Sequence, residues 1–564
     1  MGKNSFVDYL NSLHNYNAQN ENAYGERNVE NPYFDDVMVK IGLCDYIHNS
    51  LVNEEPHIII LTGHAGDGKT SIMYQVLKDL DISFNTNERI SDFTLPTGRK
   101  CQCIKDFSEL SDSEKLETLS SVIKMPQEGN FVFMVANTGP LINTFGEMFD
   151  SPEDKEKAKI QLIDAMDCND GEIKDIYGIK ICVINVATVD NTYFANEFLD
   201  NIIQPKLWNE CLSCPKKDYC HIYRNINLIS DNRKEVFGFI DKHFIWITEY
   251  GKRLTIRSMT EQLAYMITGG FSCDEIKPFE EYKYLFSNLF FGYIGTRINE
   301  KALNILAIDV ANKCEYDNKR LRIDEKLIVG REYAALFNNE VIDIIKNAEV
   351  KNVNASVKGW TNFLRRTFFF MNIITDEKII EQISEDVFSK QFGRFLRLRS
   401  GEIKPGKVDA NLIADALSMI YVGTPNSENE IPLTLSRESG IAQNVQLITG
   451  TIPSRHMRVV PVKTNDTLFN KERDRYILHL EVNKTELESV ISLPMLDYFE
   501  ELKNGVIATN IDPLLSHGVE SLKAQISSEL DDDYSEEIEM IILKNDGNKA
   551  VRFEITEDRR LRQV

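Results

Sequence analysis

Eight residues, Gly63-His64-Ala65-Gly66-Asp67-Gly68-Lys69-Thr70, limit what this chain can fold into more than any other stretch. They match glycine, four residues, Gly-Lys-Thr, a turn in which glycines bend the backbone so that successive N–H groups converge on a phosphate. The flanks agree with that reading. Ile58 to Leu61 read as a buried strand, and Ile72, Met73, Val76, Leu77 and Leu80 recur on one face of a helix. The start of that helix adds its positive dipole end. The expected ligand is ATP with Mg²⁺, wrapped by the residues from Gly63 to Ser71. Lys69 is expected at the β- and γ-phosphates and the Thr70 hydroxyl on the metal.

Around this loop, apolar strand-like runs (HIIILT, CQCIKD, FVFMVANTG, IKICVINVA) alternate with helical stretches from 51 to about 230. Such alternation predicts an α/β fold with a parallel, doubly wound sheet, here a P-loop NTPase core. A chain of 564 residues exceeds one hydrophobic core. Its texture divides into an N-terminal arm (1–50, with one helix around Phe34 to Asn49), the core (51–230), a helical lid (231–300), a helical middle region (301–422) and a C-terminal α+β module (423–564). The clearest lid helix runs from Leu254 to Gly270, with Thr255 or Ser258 as its cap, Glu261 placed to complete a capping box, and Gly269-Gly270 as its stop.

An ATPase of this kind needs an acid at the end of a neighbouring strand to hold Mg²⁺. Asp106, ending CQCIKD, is the candidate, with Glu109 as the water-polarising base and Asn137 as a γ-phosphate sensor on the adjacent strand. Strand counting leaves a rival register open, in which Asn137 ends the acid-bearing strand and Asn185 is the sensor. No arginine occurs from 100 to 223. A cation presented to a neighbouring copy must then be a lysine, Arg224 or Arg233, or come from a partner. Within the chain, Arg257 at the start of the lid helix is the candidate for the γ-phosphate, with Arg253 as substitute.

Cys211, Cys214 and Cys220, followed by His221, form C-x2-C-x5-C-H, a chelating spacing that suits structural Zn²⁺ or, alternatively, an iron–sulfur cluster, with ordinary free thiols as the remaining reading. His221 is the local fourth ligand; His243 or a distant cysteine is the alternative. The net charge of −23 repels nucleic acid from most of the surface, so any DNA contact is confined to local basic patches. The densest is Lys390 to Lys407, where Arg394, Arg397 and Arg399 interleave with Phe392 and Phe395, a pattern that suits stacking on bases but more often marks an amphipathic helix with its aromatics in the core; Arg365-Arg366 and Arg455 to Arg458 are weaker. With neither a signal-peptide pattern nor a membrane-length apolar run, the expectation is a cytoplasmic protein.

The phrases LTGHAGDGKT, KDFSEL, VFMVANTGPL, CLSCPKKDYC and LTIRSMTEQLAYMITGG, in that order over residues 55 to 300, resemble the AAA+-related (STAND-like) ATPases of bacterial anti-phage defence islands, in particular the F component of DNA phosphorothioation-dependent restriction systems. The resemblance implies an ATPase acting as a motor or switch with other defence proteins to sense or act on foreign DNA, with an oligomer left open. The missing arginine departs from the oligomeric pattern. The competing expectation is a signalling or scaffold protein that binds ATP with negligible turnover.

Overall fold

A computed structural model describes residues 3–16, 29–83, 88–278, 282–314, 316, 319–351, 355–423, 430–434, 445–464, 476–506, 511–529, 537–542, 549–556, 558 and 560–564. They fall into two compact units, divided between Ile383 and Ser384. The first unit holds the glycine loop and its sheet together with the helices up to Ile383, and the helices from 384 to 422 belong with the C-terminal strands.

The first unit is built on one six-stranded sheet. Its strands are β1 (Ile58–Thr62), β2 (Ile90–Thr94), β3 (Lys100–Ile104), β4 (Phe131–Val135), β5 (Lys174–Ile176) and β6 (Ile179–Asn185), in the spatial order β2-β3-β4-β1-β6-β5. The four inner strands are parallel. The two edge strands, which the sequence reading did not anticipate, are antiparallel, so the sheet is mixed rather than wholly parallel. Both are short hairpin partners of inner strands, and β2, with alternating exposed and half-buried residues, lacks the apolar run that marks the inner strands.

The inner runs are apolar throughout because both faces are covered. Ile58, Ile60, Val132 and Met134 face one layer of helices with Leu119, Leu141 and Leu162, while Ile59, Leu61, Phe133 and Val135 face the other with Leu43, Ile47, Ile72 and Val76. The helix expected over Phe34 to Asn49 is broken: helices cover Phe34–Val37 and Gly42–Asn53, and Met38 to Ile41 run between them. Burial there alternates, with Val37, Val39 and Ile41 in and Met38 and Lys40 less so, which is the period of an extended segment rather than a helix.

Three helices matter most for the site: α1 (Ser5–Ser12), α2 (Lys69–Asp79) and α3 (Ile256–Thr268). Thr255 caps α3 by accepting from Ser258 N, and Gly269 ends it at φ 62°. Ser258 therefore lies inside the first turn, and the Ser258–Glu261 box does not form. The second unit combines two antiparallel sheets, of five and three strands, with helices including Lys407–Tyr421, Leu493–Lys503 and Pro513–Ser528. Among the described residues, no helix is long and apolar enough to cross a membrane.

Candidate functional site

The glycine loop connects β1 to α2 at the carboxyl edge of the sheet, and Gly66 and Gly68 adopt φ of 90° and 82°, a region that side chains with a Cβ rarely occupy. A Cβ on Gly66 would meet Thr255 Oγ1 at 3.0 Å and Arg257 Cβ at 3.2 Å. The loop is thus packed directly under the first turn of α3, and Arg257 N donates to Gly66 O at 3.1 Å.

Asp67 locks this arrangement. It is 1% exposed, one carboxylate oxygen accepts from His64 N at 2.9 Å, and the other accepts from Arg253 Nη1 at 2.8 Å. Arg253 Nη2 donates to Val186 O at 3.1 Å, so one guanidinium ties the loop, the end of β6 and the approach to α3 together. Arg253 is accordingly a structural staple rather than a spare for Arg257. The Arg257 side chain has no hydrogen-bonded partner among the described residues and lines the cavity beside the loop.

That cavity, of about 590 Å³, is bordered by Gly66, Gly68, Lys69, Thr70 and Ser71 from the loop, by Asp106, Ser108 and Glu109 beyond β3, and by Asn137 beyond β4. Lys69 is 7% exposed, and burial pulls its pKa down against the upward pull of Asp67 and Asp106. Its ammonium donates to Gly63 O at 3.1 Å, His64 O at 2.7 Å and Asn137 Oδ1 at 3.1 Å. Asn137 N in turn donates to Ser108 Oγ at 2.7 Å, and Ser108 N to Asp106 Oδ1 at 3.0 Å. A continuous polar chain therefore runs from Asp106 to Lys69. Ser108, its middle link, carried no motif that could have revealed it.

β4 lies between β1 and β3, so Asn137 stands beside the loop and Asp106 one strand further out, both at the cavity. Asn185 instead turns its side-chain oxygen to Ala187 N at 3.1 Å and is not among the cavity residues. Asp106 also caps the short 3₁₀ turn Phe107–Glu109. Glu109 is exposed, 3.7 Å from Arg89.

The other end of the cavity is apolar. Tyr9 and Leu13 from the N-terminal segment, Phe34, Val39 and Ile41 before β1, and Phe194 and Phe198 line it. Sequence reading treated residues 1–50 only as an arm; the alternation through Val37, Val39 and Ile41 was the signal that this segment packs against the site.

The expected chelating cluster is partly rearranged. Cys211, Cys214 and Cys220 line one small pocket, joined by Cys273 from beyond α3. His221 does not join them: its Nε2 faces Thr268 O at 3.1 Å, and its ring packs on Phe271 and Tyr284. His243 is buried against Tyr316. The basic segments are largely committed as well. Phe392 and Phe395 are buried and cannot stack on bases, Arg394 forms a two-pronged pair with Asp409, and Arg365 does so with Asp324. Arg366 is fully buried over the Tyr293 ring. Arg233 pairs with Asp200.

Removing Arg253 leaves Asp67 buried without its counter-charge. Arg253→Ala should lower unfolding free energy by about 3 kcal/mol, the low end for breaking a buried pair because Arg253 is partly exposed. Combining it with Asp67→Asn should cost clearly less than the two changes summed, as read from denaturant melts.

Glu261, buried one turn beyond Arg257, has its carboxyl pushed from 4.5 up to about 7 by burial, opposed by Arg257. Because the folded value is the higher one, its contribution to stability is full below about pH 4.5 and is lost as pH rises through about 7. Glu261→Gln should therefore raise the melting temperature at about pH 8 and flatten the stability profile across that window.

No family model, curated protein or solved structure matches this chain.

Proposed function

We propose that the first unit is a P-loop NTPase of AAA+/STAND-like type that binds and hydrolyses ATP with Mg²⁺, working as a motor or switch in a multi-protein complex. The observation that carries this reading is the convergence of Lys69, Thr70, Asp106, Asn137 and Arg257 on one cavity beside the glycine loop. Its two ends suit the two ends of a nucleoside triphosphate: N–H groups, an ammonium and a guanidinium for phosphates, and aromatic and branched side chains for a base.

In this reading, Thr70 and Asp106 would hold Mg²⁺, whose charge would offset that of the phosphate oxygens. The loop N–H groups and Lys69 bind the β- and γ-phosphates, and Lys69 exchanges its contacts with Gly63 O, His64 O and Asn137 for phosphate oxygens. Asn137, released from Lys69 but still held through Ser108, orients the attacking water or the γ-phosphate. Arg257 supplies the charge that no arginine between 100 and 223 can supply. Because α3 rests on Gly66, occupancy of the loop is transmitted to α3 without a long relay. The defence role, its protein partners and any contact with DNA rest on the sequence resemblance alone.

A second reading, tight ATP binding with negligible turnover, is favoured by one feature. Glu109, the carboxylate assigned to polarise water, borders the cavity but is exposed and lies 3.7 Å from Arg89.

Lys69→Ala should abolish ATP binding in calorimetry, and unchanged affinity would overturn the phosphate assignment. Asp106→Asn should leave binding within a few-fold while removing Mg²⁺-dependent phosphate release; wild-type protein that binds ATP but releases none, alone or with DNA, supports the second reading. Arg257→Ala should lower turnover by roughly 10-fold or more, about 1.4 kcal/mol in the barrier, with ATP affinity within a few-fold.

A further inference from the structure

Four of the ten cysteines meet in one place although they come from two separate parts of the chain. Cys211 is buried and Cys214, Cys220 and Cys273 are half-buried around a pocket of about 20 Å³. The local backbone is a run of tight turns, with Cys214 N bonded to Cys211 O and Lys217 N to Cys214 O. Cys220 occupies the N-cap of the eleven-residue helix His221–Asp231, which turns its side chain toward the other cysteines of the pocket. Lys216 Nζ reaches across to Cys273 O at 2.8 Å and Asp274 O at 3.1 Å, so the two segments are already joined around the thiols.

We propose that Cys211, Cys214, Cys220 and Cys273 form a tetrathiolate site for one zinc ion that fastens α1 to the far end of α3. Four soft donors in a closed set, with no histidine or carboxylate among the pocket residues, are a structural zinc set, and leave no open position for chemistry. The thiols stand around the pocket wall, and among the described residues no group of three or more His, Cys, Asp or Glu side chains is placed, as it stands, to hold a metal ion. Binding then draws the sulfurs inward and releases their protons.

The site lies where it can act on the cavity. Asn4, which caps α1, donates from Nδ2 to Leu207 O at 2.9 Å and to Cys211 Sγ at 3.5 Å, and its carbonyl accepts from Cys273 Sγ at 3.9 Å. Asn11, on α1, donates to Phe271 O at 2.9 Å just beyond α3. Tyr9 on the same helix, and Leu13 at its end, line the apolar end of the cavity, and Arg257 on α3 lines the other. Zinc therefore holds in register the two helices that close over the ligand; this consequence, though not the metal site, rests on the nucleotide reading.

The test is metal analysis of the full-length chain purified under reducing conditions, with Cys273→Ser, His221→Asn and the exposed Cys168→Ser as variants. The expected result is about one zinc per chain in wild type, His221→Asn and Cys168→Ser, and loss of most of it in Cys273→Ser. Zinc kept by Cys273→Ser, zinc lost from His221→Asn, metal-free wild type, or iron and sulfide in its place each overturns the proposal. Should Cys273→Ser fail to fold, Co²⁺ added to metal-stripped wild type decides the matter. The visible bands of tetrahedral cobalt with four thiolates support the site, and a mixed nitrogen–sulfur spectrum or none refutes it. ATP calorimetry on the same stripped protein reads the consequence separately: weaker affinity, restored by Zn²⁺, is expected, and unchanged affinity refutes the fastening role.

Discussion

A lysine ammonium buried against backbone carbonyls is the constraint on which the rest of the first unit depends. Lys69 is almost wholly removed from water, and its direct partners are neutral oxygens: two loop carbonyls and the Asn137 amide. Burial disfavours its charge, and Asp67 and Asp106 offset that from nearby. An arrangement of this kind is poised for an anion, since a phosphate can take over the ammonium contacts that carbonyls now satisfy. The surrounding architecture serves this one feature. The parallel strands bring Asp106 and Asn137 to the same edge, the glycines admit the turn, and α3 closes it.

The loop is held from outside the core as much as from within it. Asp67 spends its carboxylate on His64 N and Arg253, which fixes the loop's shape before any ligand arrives and couples it to the segment leading into α3. Two arginines four residues apart consequently have different work: Arg253 is consumed by the scaffold, whereas Arg257 faces the cavity uncommitted. The N-terminal segment completes the enclosure. It reaches the cavity through Tyr9 and Leu13, and it is anchored at Asn4 beside the cysteines, so the N-terminal segment, the loop and α3 share one site.

What could be read from the sequence was whatever has a short-range signature. The loop, β1 and α2 follow from eight residues and two apolar patterns, and Asp106 and Asn137 follow from where apolar runs stop. The α3 boundaries were legible through Thr255 and the glycine pair, yet the Ser258–Glu261 box was misplaced because spacing alone cannot say which hydroxyl begins the helix. Long-range facts were illegible for the same reason. Nothing near Cys220 announces that Cys273, rather than His221, completes its pocket. The pattern of Lys390 to Lys407, which an amphipathic helix and a nucleic-acid groove share, folds with the phenylalanines inward as the amphipathic reading expects, but nothing in it reveals that Asp409 neutralises Arg394. The antiparallel edge strands were missed because edges need no apolar run.

The account stands on the cavity beside Lys69 being the place where ATP and Mg²⁺ bind, and hydrogen–deuterium exchange on the full chain, with and without both, tests this most directly. It predicts slowed exchange at the loop from Gly63 to Ser71, at Asp106 to Glu109 and in the extended segment from Met38 to Ile41, with the second unit's strands unchanged. Saturating ATP that leaves the loop's exchange unaltered, or that protects only segments remote from it, would contradict the account.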